Sequence, residues 1–188
     1  RTVVKVLAAG GAGAAAAAAV PAEAAERKQM PADARGLLYD STLCIGCRAC
    51  VTKCKKENGH GPDVEIMYGG AAYDAPADLS GTTKTIIKAY VEGGTTAFVK
   101  RHCMQCVDPA CAAACMIQAF QKGKHGVITW EGGRCVGCRY CQIACPFNLP
   151  KLEWQKAFPA IVKCELCRHR KEGPACSEAC PRAAVITG

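Results

Sequence analysis

The stretch CVGCRYCQIACP, residues 135–146, places four cysteines at intervals of three, three and four and closes on a proline. Thiols so crowded are reactive, so a chain that keeps them has a use for them. The density recurs three times. All sixteen cysteines of the 188-residue chain fall into four groups of four: Cys44, Cys47, Cys50 and Cys54; Cys103, Cys106, Cys111 and Cys115; Cys135, Cys138, Cys141 and Cys145; Cys164, Cys167, Cys176 and Cys180. None is left over.

Spacing decides what they hold. In C-x2-C-x2-C a tight loop supplies three sulfurs and turns its amides inward, and small residues such as Gly46, Ala49 and Gly137 let it close. The fourth cysteine heads away on a short helix and suits a neighbouring cluster, as in the C-x2-C-x2-C-x3-C-P run of bacterial ferredoxins. Structural zinc is the alternative. It takes C-x2-C pairs from two separated knuckles and has no use for the third cysteine of such a loop. Disulfides between cysteines three apart in a tight loop are poorly placed to form. The spacing therefore calls for iron–sulfur cubanes.

In the ferredoxin pattern a cysteine group is followed by a strand, a turn and a second strand before the next group. The region CMIQAFQKGKHGVITWEGGRCVGC, residues 115–138, follows it, with strands at Ala119 to Lys122 and Val127 to Trp130 around GKHG. The second and third groups thus form one unit. The strand in CPRAAVITG after the fourth group can join the one in GLLYDSTLC before the first, whereas CPFNLPKLEWQK after the third does not alternate like a strand. The first and fourth groups then form the other unit. Four [4Fe-4S] clusters are expected: on Cys44, Cys47, Cys50 and Cys180; on Cys54, Cys164, Cys167 and Cys176; on Cys103, Cys106, Cys111 and Cys145; and on Cys115, Cys135, Cys138 and Cys141.

Composition agrees. Four Phe, two Trp and five Tyr make a thin conventional core. The formal charge of +8 suggests nucleic acid at first sight. Four thiolates around a core of about +2 leave each site near −2, so four sites offset about eight positive charges. The basicity compensates buried clusters, and no nucleic-acid partner is expected.

Residues 1–24 have a basic start, an apolar run and an A-x-A site, the layout of an export signal that is possible to retain uncleaved. An arginine ahead of Arg1 would complete a twin-arginine leader, which carries folded proteins and so allows cluster insertion before export. The run falls short of the roughly 20 apolar residues of a membrane span. Residues 25–36 read as a linker, 37–58 as the first half of module A, 59–96 as an insertion with a strand at Thr85 to Val91, 97–150 as module B, opening on a strand at Ala97 to Lys100, and 151–188 as the second half of module A. The fold class is α+β, two nested ferredoxin-like modules with a small insertion.

From Leu37 to Gly188 the chain resembles the four-cluster ferredoxin subunit of membrane-associated respiratory oxidoreductases. LYDSTLCIGCRACVTKC, CMQCVDPAC and CRYCQIACPFNLPKLEW are most similar to the subunit of periplasmic [NiFe] uptake hydrogenases of the hydrogenase-2 type. The resemblance implies a catalytic partner, most readily a [NiFe] hydrogenase, and an integral-membrane quinone-reactive subunit or cytochrome. It also implies a periplasmic location, with membrane association through partners and a retained N-terminal segment. Relatives usually continue into a C-terminal membrane helix that these residues do not include. The same role in a molybdopterin complex acting on formate, polysulfide or tetrathionate is the alternative, and a zinc-held structural module a more distant one. Lys55 and Met116 stand where proline is expected after Cys54 and Cys115, and the second and fourth groups carry longer spacers, VDPA and RHRKEGPA.

Other residues carry less. His60, His102, His125 and His169 complete no ligand set and read as surface or turn residues. Arg48, Lys53, Arg139 and Lys163 adjoin cysteines, where a positive charge either raises a cluster potential or is simply solvated. The RHRK run at 168–171 reads as an exposed loop, with docking of an acidic partner as the other reading. Trp130 and Trp154 read as packing residues. With no catalytic triad, phosphate loop or paired carboxylates, the expected role is electron transfer without a catalytic site of its own.

Overall fold

Closely spaced cysteine loops leave little chain for long elements, and the elements are accordingly short. A computed structural model describes residues 29–62, 76–155 and 160–188. The export-type segment at 1–24 lies outside them, as do parts of the linker and of the insertion. In chain order the elements are β1 (Leu37–Tyr39), α1 (Ala49–Glu57), β2 (Ile86–Glu92), β3 (Thr95–Arg101), α2 (Ala110–Ala113), β4 (Phe120–Lys122), β5 (Ile128–Trp130), α3 (Tyr140–Ala144), β6 (Lys151–Glu153), β7 (Ala160–Val162), α4 (Ala175–Glu178) and β8 (Val185–Thr187). The strands pair only as two-stranded antiparallel ribbons: β1 with β8, β2 with β3, β4 with β5, and β6 with β7.

The β1–β8 ribbon joins the segments flanking the first and fourth cysteine groups, with Leu38 opposite Ile186 and Gly36 N donating to Gly188 O at 2.8 Å. The β4–β5 ribbon spans the segment between the second and third groups, its register running Phe120 to Trp130. One expectation is corrected. The segment after the third group does contain a strand, β6, whose Leu152 lies opposite Ile161 of β7. Three residues with a single inward apolar side chain give too little alternation for the pattern to register.

Helix α1 packs on α4, and α2 packs on α3. Apolar contacts gather into three small cores, and each contains cysteines. The first joins Cys111 and Cys141 with Phe120, Ile128, Leu152 and Ile161. The second joins Cys50 and Cys176 with Val51, Ile87 and Val185, and the third sets Cys103 with Leu79, Ile86 and Leu149. Helices of four to nine residues and isolated ribbons of three-residue strands are marginal in water. What is bound among the cysteines must therefore supply part of the stability.

The β2–β3 hairpin lies over the first cysteine loop. The Phe98 ring fills the space above Gly46, and Tyr39 Oη donates to Phe98 O at 2.8 Å. Ahead of β2, Asp78 pairs with Arg101 Nη1 at 3.0 Å and with Lys151 Nζ at 2.9 Å, tying that segment to β3 and β6. Linker residues dock on the β4–β5 turn, where Arg35 N donates to His125 O at 2.9 Å and His125 pairs with Asp33 at 2.7 Å.

Candidate metal centres

The four cysteine loops share a backbone. Ahead of each second cysteine stands a residue with positive φ: Gly46 at 71°, Gln105 at 49°, Gly137 at 73° and Leu166 at 51°. The first and third loops match further. Arg48 and Arg139 adopt φ of 60° and 61°, and Gly46 N and Gly137 N each donate to the sulfur two residues earlier, Cys44 Sγ and Cys135 Sγ, at 3.4 Å. Left-handed Gln, Leu and Arg residues cost about 1 kcal/mol or more each. Such strain persists where the surroundings require the loop shape.

A second repeat follows the last cysteine of three groups. Gln118, Asn148 and Ala183 lie three residues beyond Cys115, Cys145 and Cys180, each with positive φ and each donating its amide to that cysteine's carbonyl at 3.0–3.2 Å. Met116 thus makes the turn without proline. The first group departs, because α1 runs on past Cys54 to Glu57.

The sulfurs gather across groups. Cys44, Cys47 and Cys50 of the first group line one recess together with Cys180 of the fourth. Cys54 shares a second recess with Cys164 and Cys167, and Cys176 is their electrostatic neighbour. Asn58 Nδ2 donates to Cys54 Sγ at 3.7 Å and accepts at Oδ1 from Lys84 Nζ at 2.7 Å. Cys103 and Cys111 are neighbours of Cys145, and Cys103 also of Cys106. Cys141 neighbours Cys135 and Cys115, and Ala119 N donates to Cys115 Sγ at 3.2 Å. Cys138 sits exposed in the third loop.

Burial raises the enclosed thiols. It pushes Cys54 up to about 12 and Cys111, Cys141 and Cys176 up to about 11, with neighbouring thiols adding to the effect. A metal reverses this balance, because thiolate ligands are stabilised by the charge they bind.

Lys55, Lys100 and Lys163 are all buried, and the last two act on the cysteines. Lys100 of β3 is buried and donates to Thr85 Oγ1, itself buried. Its ammonium favours the thiolates of Cys50, Cys54, Cys164 and Cys176. Lys163 is buried too and donates to Ile128 O and, at 3.1 Å, to Cys164 O. It favours the thiolates of Cys103, Cys111 and Cys164. Among the described residues neither forms an ion pair with a carboxylate. A buried ammonium without an anion costs several kcal/mol.

The donor chemistry therefore fits anionic iron–sulfur clusters. Each gathering is all sulfur, and the ammonium groups of Lys100 and Lys163 favour the thiolate form of cysteines in three of the four. Among the described residues no group of three His, Cys, Asp or Glu side chains converges tightly enough to hold a single metal ion.

Several readings of the other residues change. His102 is partly enclosed rather than a surface residue: burial, then the Lys100 ammonium, push its imidazole down to about 4, and Nδ1 is 2.7 Å from Cys103 O. Within the RHRK run Arg170 is turned inward, only 13% exposed, and pairs with Glu178 at 2.6 Å and Glu57 at 3.6 Å. It braces α1 against the fourth group instead of offering a free charge. Trp154 is 66% exposed with Arg139 stacked 5.1 Å from its ring, while Trp130 packs on the first core as expected. Sequence reasoning passed over Lys100. Its signal was the two-residue alternation that puts Phe98 and Lys100 on the same face of a strand.

Fold and cysteine geometry together define a ferredoxin-like iron–sulfur protein. The chain belongs to the 4Fe-4S dicluster domain family, whose model matches residues 95–188, a span that holds the second, third and fourth groups. It is 37% identical over 205 residues to the hydrogenase-2 operon protein HybA of Escherichia coli O157:H7, a match over 100% of this chain and 62% of HybA. To the iron–sulfur subunit of the nitrate-inducible formate dehydrogenase of Escherichia coli K12 it is 35% identical over 159 residues, covering 80% of this chain and 53% of that subunit. YsaA of the same strain, named as a candidate electron transport protein, is 35% identical over 151 residues, 80% of this chain and 87% of YsaA. The chain thus spans about three fifths of the length of HybA. Among the described residues no helix is long and apolar enough to cross a membrane.

Proposed function

We propose that this chain is the electron-transfer subunit of a respiratory oxidoreductase and holds four [4Fe-4S] clusters in two nested ferredoxin-like modules. The observation that supports the reading is that cysteines of different groups come together around one recess. The three cysteines of a loop are joined by one from a distant group, as Cys44, Cys47 and Cys50 are by Cys180. The ligand sets are Cys44, Cys47, Cys50 and Cys180; Cys54, Cys164, Cys167 and Cys176; Cys103, Cys106, Cys111 and Cys145; and Cys115, Cys135, Cys138 and Cys141. When bound, the clusters supply one-electron carriers between a catalytic partner and a membrane quinone-reactive subunit or cytochrome.

The chain's own residues bind and orient. Gly46 N and Gly137 N donate to ligand sulfurs, the strained loops fix sulfur positions, and Ile87, Val185, Phe120 and Ile128 shield the sites from water. Hydrogen bonds and burial of this kind set cluster potentials. No residue here is assigned a catalytic step. Similarity to HybA favours a [NiFe] hydrogenase as catalytic partner, on the periplasmic side of the membrane. Similarity to the formate dehydrogenase subunit supports the second reading, a molybdopterin partner.

Anaerobic purification tests both parts. Roughly sixteen iron and sixteen sulfide per chain are expected from four cubanes. Cys145→Ala removes about four of each and leaves the set with Cys135, Cys138 and Cys141 intact. A colourless, folded, iron-free chain refutes the proposal, and nickel or molybdenum in the co-purifying partner decides between the two complexes.

A further inference from the structure

The sulfurs of Cys44, Cys115 and Cys135 receive backbone amides, those of Gly46, Ala119 and Gly137, at 3.2–3.4 Å. Cys54 receives a side chain. Asn58 Nδ2 donates to Cys54 Sγ at 3.7 Å, within reach of the larger sulfur atom, and to Cys54 O at 2.7 Å. Asn58 is fixed from two sides. It follows the last residue of α1, where its own N–H bonds back to Cys54 O at 3.1 Å, and its Oδ1 accepts from Lys84 Nζ at 2.7 Å. An ammonium donates and never accepts, so it selects the carbonyl end of the amide and leaves the NH2 end facing Cys54.

Asn58 and Lys84 line the same recess as Cys54, Cys164 and Cys167. Two other polar side chains of that recess are engaged elsewhere: Glu165 accepts from Trp130 N and pairs with Arg168, both at 3.1 Å, and His169 Nε2 lies 3.4 Å from Glu57. Lys84 is anchored by its neighbours in the chain. Thr83 pairs through its backbone with Ser80, and Thr85 Oγ1 donates to Arg101 O at 3.2 Å. Reduction adds negative charge to an iron–sulfur core and its thiolates, so a donor aimed at a ligand sulfur favours the reduced form and raises the potential. An ammonium on the far end of the amide strengthens that donor, because hydrogen bonds in a chain polarise one another. Lys84 itself is partly exposed, so water screens its direct field and the amide carries its effect to the sulfur.

We propose that Lys84 and Asn58 act as a couple that sets the potential of the second site, the one on Cys54, Cys164, Cys167 and Cys176. Lys84 orients and polarises the Asn58 amide, and the amide N–H raises the potential through Cys54 Sγ. Both are positioning residues rather than ligands. The segment between the first two cysteine groups thereby gains a role, since it brings Lys84 back onto the end of α1, 26 residues earlier in the chain. This rests on the four-cluster reading above and assigns part of its energetics.

The test uses the full chain, purified anaerobically and titrated stepwise with a low-potential chemical reductant while paramagnetic resonance follows each reduction step. Asn58→Ala is expected to lower one step by about tenfold in the one-electron equilibrium, or roughly 59 mV, and to leave the others in place. Lys84→Met lowers the same step by about threefold, because the amide remains but is no longer oriented or polarised. The double variant falls no further than Asn58→Ala alone, and Lys84→Arg keeps the wild-type step. The signal that moves is the one altered by Cys167→Ser, which exchanges a ligand of the same set.

Unmoved steps at full iron content, a shift spread over several steps, or a shift in a step that Cys167→Ser leaves alone overturn the proposal. Strictly additive losses in the double variant overturn it too, by showing that Lys84 does not act through Asn58. Loss of iron in both Asn58→Ala and Lys84→Met also overturns it, by making the couple an assembly element. If Asn58→Ala alone loses iron, the loss in Lys84→Met and its recovery in Lys84→Arg decide. A wild-type chain with no reducible cluster refutes instead the reading beneath it, before any variant is compared.

Discussion

Gly46 and Gly137 occupy the same place in two loops of the same shape, so replacing each by alanine isolates what differs around them. Both have positive φ, 71° and 73°, and a Cβ at either costs about 1–2 kcal/mol in backbone strain. Beyond that the sites diverge. At Gly137 nothing lies within 4 Å of where a Cβ would sit, whereas at Gly46 that position falls against the Phe98 ring, with Cδ1 at 2.7 Å. Phe98 has little freedom to retreat, since its own carbonyl accepts from Tyr39 and its strand is paired with β2. Overpacking of this kind adds about 1–3 kcal/mol. Gly137→Ala is therefore expected to destabilise by about 1–2 kcal/mol and Gly46→Ala by about 2–5 kcal/mol. At about 2–4 °C per kcal/mol for a chain of this size, the thermal midpoints fall by about 2–8 °C and about 4–20 °C. Unfolding is followed by bleaching of the visible cluster absorbance at one fixed scan rate, because cluster loss is irreversible. Phe98→Leu in the Gly46→Ala background returns the loss to the Gly137→Ala level. Equal losses in the two single variants, or no relief from Phe98→Leu, refute the assignment of the extra cost to that ring.

Asp78→Asn loosens the segment ahead of β2 by no more than about 1 kcal/mol, since the side chain is partly exposed. Although burial pulls the other way, the Lys151 hydrogen bond, the Leu79 amide and the Lys151 and Arg101 charges hold the Asp78 carboxyl below its ordinary 3.8. Its contribution is therefore present in full above that value and is lost as pH falls through the lower folded one. The gap in unfolding rate between wild type and variant should be constant from about pH 8 to 5 and narrow only below about 4. Arg170→Met frees Glu57 from Glu178, so the thermal midpoint drops and its dependence on salt weakens, as read by the same absorbance assay. Chelation of iron under anaerobic conditions should abolish the far-ultraviolet dichroism along with the visible colour, because the short helices and ribbons lack a metal-independent core. A metal-free chain that keeps its secondary structure would contradict that.

Much of this was legible before any coordinates. Cysteine spacing carried the division into four groups, and the strands around GKHG and at the two ends of the cysteine array followed from ordinary alternation. What stayed hidden has physical reasons. The β6 strand is three residues long and shows one inward side chain, Leu152. Left-handed Gln105 and Leu166 carry no glycine to mark the turn, so the likeness of all four loops appears only in the backbone angles. Lys100 was missed because a lysine in a polar-looking strand reads as solvated, and only the packing of the hairpin turns it inward. Arg170 was misread for the opposite reason: a dense basic run suggests an open surface, yet its acidic partner Glu57 lies more than a hundred residues away in sequence.

The pairing of Cys180 with the first loop has a consequence for synthesis. The second and third groups lie close together in the chain and are free to assemble as soon as both have left the ribosome. On the proposed ligand sets, the loop at Cys44 to Cys50 emerges early and must wait until Cys180 is translated, about 136 residues later, before its fourth sulfur exists. During that interval three exposed thiols stand ready for any stray metal or oxidant.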